Sequence, residues 1–162
     1  MFLAWLKPRK TVLDKIEQKY RALPFPIDCE WNRLNANKYT AFMDHSRMAF
    51  SVRVGVSILT LAKKRWIFTI AEQHINYISS VKSLVPFVVT TQMVYWNEKY
   101  CFAIQEFYQN DKIRARGFVK FVVRKPSGVV PMPEVIAATG YHGQSPQVPK
   151  ILLDIFPSLN SG

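Results

Sequence analysis

Two acidic residues, Asp28 and Glu30, precede the longest helical pattern in the chain, and Asn35 and Asn37 lie at its start. A carboxylate can act as a general base on water or as a nucleophile at a carbonyl carbon. The first backbone amides of a helix have no partner within the helix, so they can stabilise a developing oxyanion. This segment is therefore a candidate site for acyl chemistry, in which Glu30 lies near the helix start and the two asparagines cap the helix or donate to the carbonyl.

The same residues also have structural interpretations, and these stay open. Glu30 can be a solvated charge at a strand end or the partner of Arg33, and Asp28 can be purely structural. His74 and Glu72 lie in a predicted strand, where we expect them to be structural. The spacing of His, Cys and Asp residues does not fit a metal site, so we expect no metal and no bound cofactor.

The elements that must position these residues follow from hydrophobic periodicity. The pattern predicts helices over residues 11–23, 35–54, 57–64 and 131–139, and long strands over 66–80, 86–96, 99–108 and 112–124. Short connections make the strands antiparallel neighbours. An antiparallel sheet accompanied by one apolar helix must curve around that helix to bury it. We therefore expect an α+β fold in which a long antiparallel sheet wraps a central helix.

Composition limits the class of protein and its partners. With 162 residues, 49% of them hydrophobic and 20% charged, the chain fits one soluble globular domain rather than a disordered segment. Its net charge of +11 favours anionic partners. Two cysteines are too few for a disulfide framework and fit a reducing, cytoplasmic environment. The apolar run at residues 1–6, followed by basic residues, is too short to span a bilayer, so it is a docking segment or a peripheral membrane anchor.

Several blocks of sequence, taken in order, resemble one known family. They are Asp28-Cys29-Glu30, Arg33-Leu34-Asn35-Ala36-Asn37-Lys38-Tyr39, Met43-Asp44-His45-Ser46-Arg47, Ile75-Asn76-Tyr77, Trp96-Asn97-Glu98-Lys99-Tyr100 and Gln105-Glu106-Phe107. Together they resemble the hotdog-fold thioesterases of the 4-hydroxybenzoyl-CoA thioesterase type, over about residues 25–140. Arg33 replaces the family's histidine, and the spacing from Asp28 to Tyr39 is one residue shorter than in the family.

The resemblance implies a hotdog domain over residues 25–140, preceded by a helical extension over 1–24 and followed by a linker and docking tail over 141–162. It implies hydrolysis of an acyl thioester of CoA or of an acyl carrier protein, in a homodimer or dimer of dimers. The implied catalytic residues are Glu30, Asp28, Asn35 and Asn37. The implied substrate-binding residues are Arg33, Tyr39, Phe42, Met43, Tyr77, Arg114 and Arg116. The alternatives are a non-catalytic acyl- or lipid-binding protein and a peripheral membrane adaptor.

One predicted strand has a basic face. Residues 112–124 alternate strictly, so that core positions face one side and the other side carries Lys112, Arg114, Arg116, Phe118, Lys120, Val122 and Arg124. This face is either solvated surface or a binding strip for CoA phosphates or for an acidic carrier protein. A single aromatic ring among the basic residues is weak support for nucleic acid, which we regard as an unlikely partner.

Overall fold

The computed structural model describes residues 10–161, so the apolar run at 1–6 lies outside the described residues. The described chain forms strands and helices in this order: β1 (Ile16–Arg21), β2 (Cys29–Glu30), β3 (Arg33–Leu34), α1 (Ala36–Arg53), α2 (Ile58–Lys64), β4 (Ile67–Tyr77), β5 (Pro86–Trp96), β6 (Cys101–Gln109), β7 (Lys112–Lys125), β8 (Gly128–Val130), α3 (Met132–Ala138) and α4 (Lys150–Ile155). The predicted helices over 35–54, 57–64 and 131–139 and the four long strands are confirmed. Within this part of the chain, no helix is long and apolar enough to cross a membrane.

The long strands form one antiparallel sheet in the order β1-β5-β6-β7-β4, with β8 beside the end of β7. Helix α1 packs on this sheet, chiefly against β5 and β1. Its residues Tyr39, Met43, Ser46 and Phe50 recur at spacings of three and four, and all four are buried. A helix that buries one face in this way needs the sheet to curve around it, and the predicted sheet wrapped on a central helix is what the structure contains.

The helix predicted over residues 11–23 is wrong, because residues 16–21 form strand β1, which pairs antiparallel with β5. The side chains of Ile16, Gln18 and Tyr20 are buried or half-buried, and the alternate side chains are exposed. Gln18 interrupts the apolar alternation, so the period of two is hidden in the sequence. The free edge of β5 provides the pairing that overrides the helical spacing.

The C-terminal segment packs on the outer face of the sheet, the side away from α1. Leu152 and Phe156 are fully buried and pack with Phe102 and Phe118 in a second apolar cluster. This contact corrects the picture of one continuous basic face on β7. Phe118 is buried in that face because the C-terminal segment lies over it, and Val122 is buried as well. The basic residues are therefore divided into separate groups.

Candidate functional site

A short hairpin, made of two strands of two residues each, positions the acidic residues near the start of α1. Strands β2 and β3 pair Cys29 with Leu34 and Glu30 with Arg33. The amide of Asn35 donates to the carbonyl oxygen of Asp28 at 3.0 Å, and the amide of Leu34 donates to the carbonyl of Val81 at 3.0 Å. These backbone bonds hold the hairpin beside the first turn of α1. The sequence-predicted residues of this segment are therefore neighbours in space.

Asp28 serves mainly to hold this segment together. Its carboxylate accepts a hydrogen bond from the amide of Leu23 at 2.9 Å and forms an ion pair with Lys38 at 3.1 Å. Burial acts to raise the pKa of Asp28, but the hydrogen bonds from Leu23 and Lys38 outweigh it, and the pKa lies below its usual value. Asp28 is thus a charged anchor whose acceptor oxygens already have partners.

Glu30 differs from Asp28 because its carboxylate is exposed and forms no ion pair within the described chain. Arg33 is the backbone partner of Glu30 across the hairpin and is exposed as well. Asn35 occupies the N-cap position of α1, although its side chain makes no capping hydrogen bond. Asn37 is exposed in the first turn. The helix start therefore combines an accessible carboxylate with amide side chains that do not cap the helix.

The predicted acyl-binding side chains lie largely within the core. Tyr39 is buried, its hydroxyl accepts from the amide of Val81 at 3.1 Å, and its ring meets that of Tyr77 edge-on at 5.1 Å. Phe42 is half-buried, and its ring centroid lies 5.1 Å from those of Tyr20 and Phe87. Met43 is fully buried. Tyr77, at the end of β4, is half-exposed and is the aromatic side chain of this set most available to a ligand.

The two predicted phosphate-binding arginines have partners within the chain. Arg116 donates to Glu106 from Nε and Nη2, both at 2.8 Å. Arg114 donates to the hydroxyl of Ser79 at 3.1 Å and to the carbonyl of Gln109 at 3.4 Å. Both guanidinium groups are half-buried, so an incoming phosphate would share them with these contacts.

His74 and Glu72 contact each other rather than the hairpin. The two side chains are 2.8 Å apart, and the His74 ring lies against Phe156 of the C-terminal segment. Within the described residues, no three His, Cys, Asp or Glu side chains come together as metal ligands would.

An apolar cavity that the sequence interpretation missed lies beside the C-terminal half of α1. It has a volume of about 480 Å³, within the range of small-molecule sites. Its walls come mainly from six elements, and their apolar members include Phe50, Val54, Phe68, Met93, Phe121, Val135 and Ile136. No local sequence pattern could have indicated it, because the cavity forms only when α1, β4, β5, β6, β7 and α3 pack together.

A polar network occupies one side of this cavity. Arg47 donates to Gln105 Oε1 at 2.5 Å and pairs with Asp44. Gln105 is fully buried and donates from Nε2 to Thr91 at 2.9 Å and to the carbonyl of Met43 at 3.0 Å. Burial lowers the pKa of the Arg47 guanidinium, while Asp44 acts in the opposite direction. The Met43-to-Arg47 block thus joins α1 to the sheet through charged and amide groups.

A model of a known protein family covers the site and most of the sheet. The model of the thioesterase-like superfamily matches residues 28–140. The chain belongs to this superfamily. The match confirms the resemblance that the sequence blocks indicated. No curated protein matches this superfamily member in sequence.

Solved structures, thioesterases among them, have the same fold as this superfamily member. A Staphylococcus aureus protein determined in complex with CoA aligns with a TM-score of 0.70 and 15% identity, covering 89% of this chain and 95% of its own. Gentisyl-coenzyme A thioesterase gives 0.68 and 18%, covering 78% and 100%. A 4-hydroxybenzoyl CoA thioesterase bound to 4-hydroxybenzoyl CoA gives 0.69 and 12%, covering 77% and 97%. The predicted α+β hotdog fold is thereby confirmed.

Proposed function

We propose that this protein hydrolyses an acyl-CoA thioester at the start of α1, with Glu30 as general base or nucleophile. Membership of the thioesterase-like superfamily supports the reaction class. CoA is the favoured carrier, because solved structures of the same fold hold CoA or 4-hydroxybenzoyl CoA, and the net charge of +11 suits an anionic substrate. An acyl carrier protein is the second possible carrier. The protein acts in the cytoplasm, where its two free cysteines stay reduced.

The observation that carries the proposal is the backbone link between the hairpin and the helix. The Asn35 amide bonds to the Asp28 carbonyl, so the carboxylate of Glu30 belongs to a segment fixed beside the amides of the first turn. Those amides can donate hydrogen bonds to the carbonyl oxygen as negative charge develops on it, while the carboxylate acts at the carbonyl carbon. A base and an oxyanion site at one helix end are the minimum that hydrolysis of a thioester requires.

The substitution Glu30→Gln tests this assignment, since it retains the shape of the side chain and removes the base. We expect kcat for acyl-CoA to fall by about 10²-fold or more, as is typical when a general base is lost. Release of the CoA thiol is measured across a panel of acyl-CoAs. Glu17→Gln, at an exposed glutamate of β1, is the matched control and should leave kcat unchanged. Full turnover by Glu30→Gln would exclude Glu30 as the base.

We further propose that the working form is a homodimer or a dimer of dimers. Strand β4 ends the described sheet on one side and leaves eleven residues of backbone without a neighbour on that side. A long unpaired edge is a site for pairing with a second copy. In such a dimer, residues near β4 of one subunit, such as Tyr77, could contribute to the partner's site.

Non-catalytic acyl binding is the second candidate function, and the separate apolar cavity favours it. Residues of α1 from Asp44 onward line the cavity. Asp44 lies roughly 14 Å along the helix axis from Asn35, at a rise of about 1.5 Å per residue. An acyl chain could therefore be held without contact with Glu30. Stoichiometric binding of acyl-CoA with no thiol release would favour this function over hydrolysis.

A further inference from the structure

Large apolar side chains are exposed around the candidate site, at the end of the molecule where α1 begins. Trp31, at the tip of the β2–β3 hairpin, is 86% exposed, and Phe25 is 67% exposed. Leu23, Ile27 and Leu84 are each about half-exposed. We call these five residues the apolar cap. Single exposed apolar residues are ordinary on a protein surface, whereas several together mark an interaction surface.

Hydrogen bonds hold the loops of the apolar cap together. The first loop, residues 22–28, connects β1 to β2, and the second loop, residues 78–85, connects β4 to β5. The amide of Leu84 donates to the carbonyl of Ala22 at 2.9 Å, which joins the second loop to the first. The amide and hydroxyl of Ser83 both donate to Asn32 Oδ1, at 3.1 and 2.7 Å. These two bonds join the loop between β4 and β5 to the turn of the β2–β3 hairpin. The cap is therefore a built surface whose side chains are presented from a fixed backbone.

Basic side chains surround the apolar cap. Arg21 ends β1, Arg33 follows the hairpin turn, and Lys82 lies in the second loop. All three side chains are exposed, and none forms an ion pair within the described chain. Glu30 and Asp111 are exposed carboxylates at the same end. The whole chain carries +11. Exposed rings and leucines among unpaired cations match an anionic bilayer, whose interface takes up the apolar groups and whose headgroups attract the cations.

We propose that the apolar cap is a membrane-docking surface that binds the interface of an anionic lipid bilayer. Docking in this way would place the hairpin and the start of α1 at the bilayer surface. As a consequence that rests on the proposed function, the site would meet long-chain acyl-CoA that is already partitioned into the membrane.

The first experiment measures binding of the full chain to vesicles, without substrate, so that its result does not depend on catalysis. The vesicles are phosphatidylglycerol mixed with phosphatidylcholine, or phosphatidylcholine alone. We expect sedimentation with the anionic vesicles and at least about tenfold weaker binding for Phe25→Ser combined with Trp31→Ser, because two large apolar groups are lost. The control is Ile58→Ser with Leu59→Ser, which removes two exposed apolar side chains from α2 and should bind as the unchanged chain does.

The second experiment uses Trp31 as a reporter. The chain also contains Trp5, Trp66 and Trp96; their emission is common to the unchanged chain and Trp31→Phe, so the difference between the two isolates the exposed ring. We expect this difference to shift to the blue when anionic vesicles are added. The variant Arg33→Gln with Lys82→Gln should bind these vesicles more weakly and respond less to salt.

Three outcomes would overturn the proposal: no binding to anionic vesicles, equal loss of binding in the α2 control variant, or a Trp31 emission already blue-shifted without lipid and dependent on protein concentration. The last outcome would assign the apolar cap to contact with a second copy of the chain. Hydrolysis of soluble short-chain acyl-CoA is assayed separately, so loss of the docking proposal leaves the proposed activity standing, and the reverse also holds.

Discussion

Glu106 is a carboxylate that the fold uses for structure. It is buried in β6 and accepts hydrogen bonds from Arg116, from Tyr108 at 2.9 Å and from Lys15 at 3.2 Å. Burial acts to raise the pKa of Glu106, but the hydrogen bonds from Tyr108, Lys15 and Arg116 outweigh it and leave the pKa below the ordinary 4.5. The carboxylate thus joins β6 to β7 and to Lys15, the residue just before β1, on the outer face of the sheet.

Replacing Glu106 should therefore cost stability in a way that depends on pH. We expect Glu106→Gln to lower the free energy of unfolding by about 1–3 kcal/mol at pH 7, because Lys15 and Arg116 lose their charged acceptor. Since the folded-state pKa is depressed, the contribution is complete above about 4.5 and is lost as pH falls through the lower folded value. Urea unfolding at several pH values measures the difference, which should shrink towards low pH. A difference that stays constant with pH would contradict this account.

The pairing geometry of β4 allows its free edge to be tested without breaking the sheet. The amide of Ile78 donates to the carbonyl of Arg114, so the register makes Asn76 and Arg116 a hydrogen-bonded pair and Tyr77 and Ala115 a non-bonded one. The amide of Ile75, two residues before Tyr77, therefore points away from β7 towards the free edge. A proline at position 75 would remove that donor and leave the bonds to β7 intact.

If β4 pairs with a second copy, Ile75→Pro should yield monomers. Light scattering should give at least twice the 18.8 kDa chain mass for the unchanged protein and a value near the chain mass for the variant. Ile75→Ala, which removes the side chain but retains the amide, is the control and should stay associated. A monomer before any substitution would refute the paired edge.

The sequence allowed prediction of elements where one period dominates and failed where tertiary packing decides. Helix α1 and strand β5 were predicted nearly to their ends, because their apolar positions repeat cleanly over many residues. Strand β1 was not, because Gln18 interrupts its alternation. The hairpin residues near α1 could be found because they are close in sequence. The apolar cavity, the partners of Arg116 and the apolar cap depend on contacts between distant segments, which periodicity does not report.

For the whole molecule, the excess of basic residues should act on encounter with substrate rather than on chemistry. If acyl-CoA is the substrate, as proposed, a net charge of +11 should attract this anion over distances that shrink with salt. The screening length falls from about 30 Å at 0.01 M to about 8 Å at 0.15 M ionic strength. We expect kcat/KM for acyl-CoA to fall over this range while kcat stays constant.

A neutral acyl thioester of a short thiol without phosphates provides the control for that measurement, and its kcat/KM should not change with salt. Equal salt dependence for both substrates would mean that salt acts on the protein itself. Arg114 and Arg116 already hold internal partners, so the salt effect should be spread over many residues.

Both thiols of the chain are buried, so their rates of chemical modification can report on opening of the structure. Cys29 is a fully buried residue of the hairpin, and burial together with the nearby Asp28 raises its pKa. Cys101 is fully buried in β6, and burial raises its pKa well above the usual value. Because a thiol reacts as the exposed thiolate, an alkylating reagent must wait for the structure to open. The hairpin that contains Cys29 has two residue pairs, whereas Cys101 begins β6, which is paired on both sides with long strands. We therefore expect the modification rate of Cys29 to report opening of the segment that carries Asp28 and Glu30, and the rate of Cys101 to report global unfolding. A ligand bound at the start of α1 should slow modification of Cys29 without changing the order of the two rates.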